Sequence, residues 1–128
     1  AASPSIALAA GDEVAAGRAE YRISCMACHG EKGEGDGPMA KYLTIKPADI
    51  SVLAKKNDGK FPFLAVFQTI DGRAVVKTHG DGPMPIWGSR YSEESGAWGA
   101  EPYKSYSAEA FVRGRILELT YFIQTLQK

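Results

Sequence analysis

A chain of 128 residues with 15 basic and 15 acidic side chains has room for one domain and one modest core, and no net charge to drive it onto another surface. That balance argues against a nucleic-acid binder, which needs a concentrated basic face, and no apolar run approaches the ~18 residues of a membrane span. Fourteen glycines and seven prolines make the middle of the chain loop-rich, leaving a small core that an embedded cofactor would complete.

Residues 1–10 are expected to be a disordered tail, and 11–128 a single domain. Ala7-Leu8-Ala9, after Ile6, reads equally as the end of an export signal and as part of an alanine-rich tail. A first helix is predicted over 12–28, with Asp12 as N-cap and Glu13 in the first turn. Val14, Gly17, Tyr21 and Cys25 share one face of it, and Gly30 stops it, so the cysteines close a helix instead of opening one. The stretch GEKGEGDGP, residues 30–38, is a glycine-rich loop. It lacks the preceding strand and the Gly-Lys-Ser/Thr of a phosphate cradle, and its acids do not alternate as a calcium loop requires. A helical turn at Met39–Leu43 and a short helix over Asp49–Lys56, closed by Asn57-Asp58-Gly59, follow. Phe63, Val66, Phe67 and Ile70 keep the spacing of a buried helical face that ends at Asp71-Gly72. Residues 73–106 read as mostly irregular. Ser107 caps a last helix running to about Gln127, with Phe111, Leu117, Tyr121 and Leu126 on its apolar side, widened by Ile116 and Ile123. The expectation is an all-α fold with long loops.

The chemistry concentrates in SCMACHG, residues 24–30, where both cysteines and one of the two histidines fall within five positions. A redox dithiol needs C-x-x-C at a helix start, where the dipole lowers a thiol pKa. A zinc site would combine Cys25, Cys28, His29 and His79, but the adjacent Cys28 and His29 would both have to bend to one ion. C-x-x-C-H is the attachment signal of c-type haem: two thiols one helical turn apart form thioethers to one macrocycle, and the next histidine offers its imidazole to iron. An electron carrier needs a sixth ligand as well. Met26 lies inside the motif, on the wrong side of the ring, and Met39 lies in the loop that wraps the histidine side. Met84, in DGPMPIWG, is far enough along to return over the opposite face, and Pro83 and Pro85 stiffen the backbone around its sulfur. His79 is its rival, read here as a loop residue near the haem rim.

From about Asp12 to its C-terminus the sequence resembles the single-haem class I cytochromes c of bacteria. The likeness rests on Gly17 and Tyr21, Cys25-Met26-Ala27-Cys28-His29-Gly30, Gly37-Pro38, Met84-Pro85 with Trp87-Gly88, and Leu117 with Tyr121. It implies the class I cytochrome c fold: first and last helices crossing at Gly17, Tyr21 against Tyr121, and short helices and long loops wrapped around one covalent haem c. It further implies Cys25 and Cys28 as thioethers, His29 and Met84 as axial ligands, and the Pro38 carbonyl accepting from the second nitrogen of His29. Pro38, Trp87 and Tyr42 are candidates to pack on the haem, and Lys46 and Arg73 to pair with its propionates, ordinary packing or a solvated charge being the equal alternative.

The stretch from Lys46 to Gly88 looks like a subgroup of small periplasmic carriers, some of which accept electrons from soluble dehydrogenases such as sulfite dehydrogenases. The resemblance thus implies a periplasmic, monomeric one-electron carrier of the respiratory chain. It is not an enzyme, meets its partners transiently, and passes electrons to a terminal oxidase or another cytochrome. Segment 91–106 is longer and more aromatic than in the shortest members. The competing readings are a peroxidase-like haem enzyme and a gas-binding sensor in which Met84 is displaced.

Overall fold

The computed structural model describes residues 12–73, 84–95 and 104–128. The N-terminal tail with Ala7-Leu8-Ala9, His79 and Pro83, and the stretches 74–83 and 96–103 lie outside these residues. Among the described residues there is no strand, and the fold is all-α.

The first helix, α1 (Ala15–Ser24), starts later than expected. Val14 occupies the N-cap without a side-chain bond, and Asp12 instead pairs through its carboxylate with Arg18. The chain turns at Cys25, where φ is −124°, and resumes as α2 (Met26–His29). The helix expected over 12–28 is therefore two pieces, hinged at the first thiol. Gly30, in the left-handed region at φ 81°, ends α2, so the motif does close a helix.

A turn of 3-10 helix at Ala40–Tyr42 follows the glycine loop. The expected helix over Asp49–Lys56 is instead two 3-10 turns, Ile50–Val52 and Lys55–Asn57. Asp49 caps the first by accepting from the Ser51 amide at 3.0 Å. Helix α3 (Phe63–Asp71) buries Val66, Phe67 and Ile70, and Gly72 terminates it, all as the spacing predicts.

The stretch 73–106 is not irregular throughout, because α4 (Trp87–Ser95) lies within it. Trp87 and Tyr91, one turn apart, are its buried anchors. The last helix, α5 (Lys104–Thr125), begins before the expected cap at Ser107 and packs against α1, α3 and α4.

The inward face of α5 is Val112, Ile116, Leu119 and Ile123, with Phe122 beside them. Phe111 and Tyr121, placed on the apolar side by sequence, are 44% and 50% exposed. Ile116 and Ile123 are buried and Leu117 and Leu126 pack against the core, as expected, so the stripe misses only at the two aromatics, where Val112 and Phe122 are buried in place of Phe111 and Tyr121. Tyr21 accordingly packs on Phe122, ring centroids 5.1 Å apart, and not on Tyr121, which meets Phe63 at 5.0 Å. The crossing itself is where it was expected. A Cβ on Gly17 would lie 2.1 Å from the Glu118 carbonyl oxygen and 3.0 Å from Phe122 Cβ, so only glycine lets α1 and α5 approach this closely.

Candidate functional site

Cys25 and Cys28 are both free thiols, half-buried, with one turn of backbone between them. Cys25 packs against the buried core cluster, as do Met26 and Met84. Burial pushes the Cys25 thiol up to about 12, and the negative charges of Glu20 and Cys28 add to that. A thiol held protonated is a poor match for a redox dithiol, whose nucleophilic sulfur needs the opposite shift. Among the described residues, no three His, Cys, Asp or Glu side chains gather as they would around a metal ion.

His29 is held by its backbone neighbours. Its Nδ1 lies 3.0 Å from the carbonyl oxygen of Ala48. A carbonyl only accepts, so Nδ1 carries the proton and Nε2 is the nitrogen with a free lone pair. Burial lowers the imidazole pKa against the opposing pull of that hydrogen bond, favouring the neutral ring. A neutral imidazole with one nitrogen fixed by a carbonyl suits iron ligation, and two free thiols one turn before it suit thioether attachment. The residues present therefore fit a covalently held haem.

Ala48, and not Pro38, supplies that carbonyl. The loop after Gly30 folds back on the motif: the Gly35 amide donates to the His29 carbonyl at 2.8 Å, Gly37 to Cys28 at 3.1 Å, and Met39 to Ala27 at 2.9 Å. A Cβ on Gly37 would stand 2.3 Å from the Ala27 carbonyl oxygen, so the chain is pressed flat against α2 there. Pro38 is consequently exposed on the outer side of the loop. The Ile50 amide, bonded to the Gly33 carbonyl at 2.7 Å, brings the 47–50 limb and Ala48 alongside.

The other proposed site residues divide. Trp87 is buried, its ring 6.0 Å from that of Tyr91 and under the Arg90 guanidinium at 5.0 Å. Tyr42 is 70% exposed and carries Lys41 over its ring. Pro38 and Lys46 line a shallow hollow of about 610 Å³ along residues 35–46, which Cys25, Cys28, His29 and Met84 do not line. Arg73 is paired with Asp71 and Glu109, which hold its guanidinium.

A polar cluster beside the first thiol escaped the sequence reading. Glu20 accepts from Ser24 Oγ at 2.6 Å, Tyr91 Oη at 2.9 Å and Arg115 Nη2 at 3.0 Å. Burial would raise this carboxyl, but the three donors outweigh it and hold the pKa below the usual range. Arg115 stacks on Tyr91 at 3.8 Å and also pairs with Glu94, joining α1, α4 and α5 around one carboxylate. The i, i+4 spacing of Glu20 and Ser24 was the available clue. Tyr21 adds a buried bond from its hydroxyl to the Gly30 carbonyl at 2.7 Å, fastening α1 to the end of the motif.

A family model described as Cytochrome C oxidase, cbb3-type, subunit III matches residues 12–99, a span that includes Cys25, Cys28, His29 and Met84. No curated protein and no solved structure matches.

Proposed function

The chain belongs to the Cytochrome C oxidase, cbb3-type, subunit III family of c-type cytochrome domains, and on that premise we propose that it is a one-electron carrier holding a single haem c between His29 and Met84. The family brings with it a covalently bound haem c and haem-based electron transfer. The observation that carries the finer reading is the His29–Ala48 bond, which leaves Nε2 open one residue beyond a pair of free thiols.

In this reading Cys25 and Cys28 anchor the macrocycle and fix its distance from α1 and α2. His29, its ring held in place by Ala48, would offer Nε2 to the iron in a fixed orientation. Met84 supplies a thioether from a segment packed on the core, and a Met ligand favours a higher reduction potential than a second histidine. The haem supplies a reversible one-electron couple. The buried cluster around Tyr21, Trp87 and Phe122 keeps water from that side of the site.

Attachment through C-x-x-C-H and the Ala7-Leu8-Ala9 sequence support the periplasm as the compartment. No helix among the described residues is long and apolar enough to cross a membrane. Partners are a dehydrogenase, such as a sulfite dehydrogenase, on the donor side and an oxidase or second cytochrome on the acceptor side, met transiently by a monomer.

The oxidised absorption spectrum of the matured protein is the direct test. A near-infrared sulfur-to-iron band is expected, lost in Met84→Ala and kept in Met39→Ala, together with a one-electron redox titration and slow carbon monoxide binding by the reduced form. A wild-type spectrum without the band, or rapid carbon monoxide uptake, overturns His/Met ligation.

A further inference from the structure

We propose that Asp71, Arg73 and Glu109 form an ionic clasp that positions Met84 as the sixth ligand, acting through Gly88. This rests on the reading of Met84 given above.

The clasp is built at the end of α3. Asp71 is the last helical residue, and Gly72 (φ 66°) turns the chain so that Arg73 folds back on it. One guanidinium then serves two carboxylates. Nε and Nη2 donate to Asp71 at 2.5 and 3.3 Å, and Nη1 and Nη2 donate to Glu109 at 2.8 and 2.9 Å. The fork geometry matches both partners in a way a lysine ammonium does not. The Arg73 and Asp71 side chains are only 25% and 15% exposed, so water screens them less than an ordinary surface pair. Arg73 in turn holds the Glu109 carboxyl below its usual range.

The segment just beyond Met84 rests on this clasp. A Cβ on Gly88 would lie 1.9 Å from Asp71 Oδ1, 2.6 Å from Arg73 Nε and 2.6 Å from the Asp71 carbonyl oxygen. A Cβ on Gly72 would lie 3.1 Å from Ile86 Cγ2 and 3.3 Å from Ile86 Cα. Residues 86–88 therefore lie directly on 71–73, two to four positions after the ligand. Helix α4 starts from the same place, its Arg90 amide donating to the Ile86 carbonyl at 3.3 Å. Glu109 brings α5 to the same point. Three helices thus fix one leg of the segment that carries Met84. A neutral thioether is a weak ligand, and its hold on a metal depends on being presented in place.

The experiment compares Arg73→Gln, Arg73→Lys and Gly88→Ala with wild type in the matured, haem-loaded protein. Two further variants serve as controls: Arg18→Gln, which removes the exposed Arg18–Asp12 pair, and Gly17→Ala, which destabilises the α1–α5 crossing. Three readouts are taken: the pH at which the sulfur-to-iron band is lost, the carbon monoxide on-rate of the reduced protein, and amide exchange at Arg90. Arg73→Gln and Gly88→Ala are expected to lose the band at least one pH unit earlier, bind carbon monoxide at least tenfold faster and exchange the Arg90 amide at least tenfold faster. Arg73→Lys should fall between them and wild type, and both controls should keep the wild-type band. Should Arg73→Gln fail to mature, Glu109→Gln, on a half-exposed side chain, carries the same expectation in smaller degree. Wild-type values in Arg73→Gln and Gly88→Ala, with the band still lost in Met84→Ala, overturn the clasp and leave the ligation standing. A band that survives Met84→Ala overturns both. Early loss of the band in Gly17→Ala as well assigns the effect to general stability and overturns the clasp.

Discussion

The crossing of α1 and α5 makes one pair of substitutions diagnostic, since the same change should act with opposite sign at two glycines. At Gly17 a Cβ would stand 2.1 Å from the Glu118 carbonyl oxygen and 2.7 Å from its carbon, where ordinary contact begins near 3.4 Å. Both are backbone atoms, so no side chain can swing away and the helices themselves must part by ~1 Å in a close-packed region. Overpacking of this kind costs ~1–3 kcal/mol, and unyielding backbone puts this case at the upper end. The gain in helix propensity from glycine to alanine returns at most ~1 kcal/mol, leaving a net loss of ~2 kcal/mol. Gly114, inside α5, has nothing within 4 Å of the same methyl, so Gly114→Ala should keep that propensity gain and be stabilised by up to ~1 kcal/mol. At this chain length one kcal/mol moves the melting temperature by roughly 3–6 °C, so thermal unfolding followed by far-UV circular dichroism should show Gly17→Ala lower by about 6–12 °C and Gly114→Ala higher by a few degrees. A rise in both variants would refute the close crossing.

The register of α5 is open to a matched test: Phe122→Ala should cost ~3–5 kcal/mol in urea unfolding, whereas half-exposed Tyr121→Ala should cost clearly less. Tyr21→Phe removes the buried donor to the Gly30 carbonyl and should lower stability by ~1–2 kcal/mol with the fold intact, read as a lower urea midpoint at unchanged slope. Burial pushes the Glu20 carboxyl up, but Ser24, Arg115 and Tyr91 together hold it below the usual glutamate range, so its contribution to stability is present above the pKa of an unfolded glutamate and is lost as pH falls through the lowered folded value. Glu20→Gln should therefore be less stable than wild type at pH 7 and lose less of its stability on going to pH 3; parallel pH profiles for the two proteins would contradict the cluster around Glu20.

What the sequence disclosed, and what it withheld, follows from where each constraint is written. The C-x-x-C-H stretch stood out because haem attachment demands two thiols and an imidazole at fixed spacing, and the family match covers it. Gly17 was legible as a point of close approach. The orientation of α5 was legible only in part, because aromatics stand side by side at Tyr121 and Phe122, and apolar residues from Phe111 to Leu126 surround the helix without leaving one clear stripe. Only the partner surface, Gly17 and Tyr21 on α1, selects between neighbouring positions. Helix α4 was hidden for the opposite reason: Gly88, Ser89 and the run Ser92-Glu93-Glu94-Ser95 are weak or polar, and Trp87 and Tyr91 alone mark its buried face. The His29 acceptor is a backbone carbonyl, and any residue at position 48 would present one, so no side-chain signal distinguishes Ala48 from Pro38.

The two halves of the site are secured by different means, and the difference has a functional consequence. The motif half is held by main-chain bonds from Gly35, Gly37 and Met39, with His29 tied to a main-chain carbonyl. Exposed side chains on that loop, such as Glu31 and Lys32, can change without loosening any of these bonds. The Met84 half leans on a charged triad whose strength depends on side-chain identity at 71, 73 and 109. Under the proposed ligation, substitutions in that triad would alter how firmly Met84 is presented while leaving the C-x-x-C-H motif as it is. On that proposal, retention of Met84, and with it reduction potential, would be adjustable separately from the hold of Cys25 and Cys28 on the cofactor.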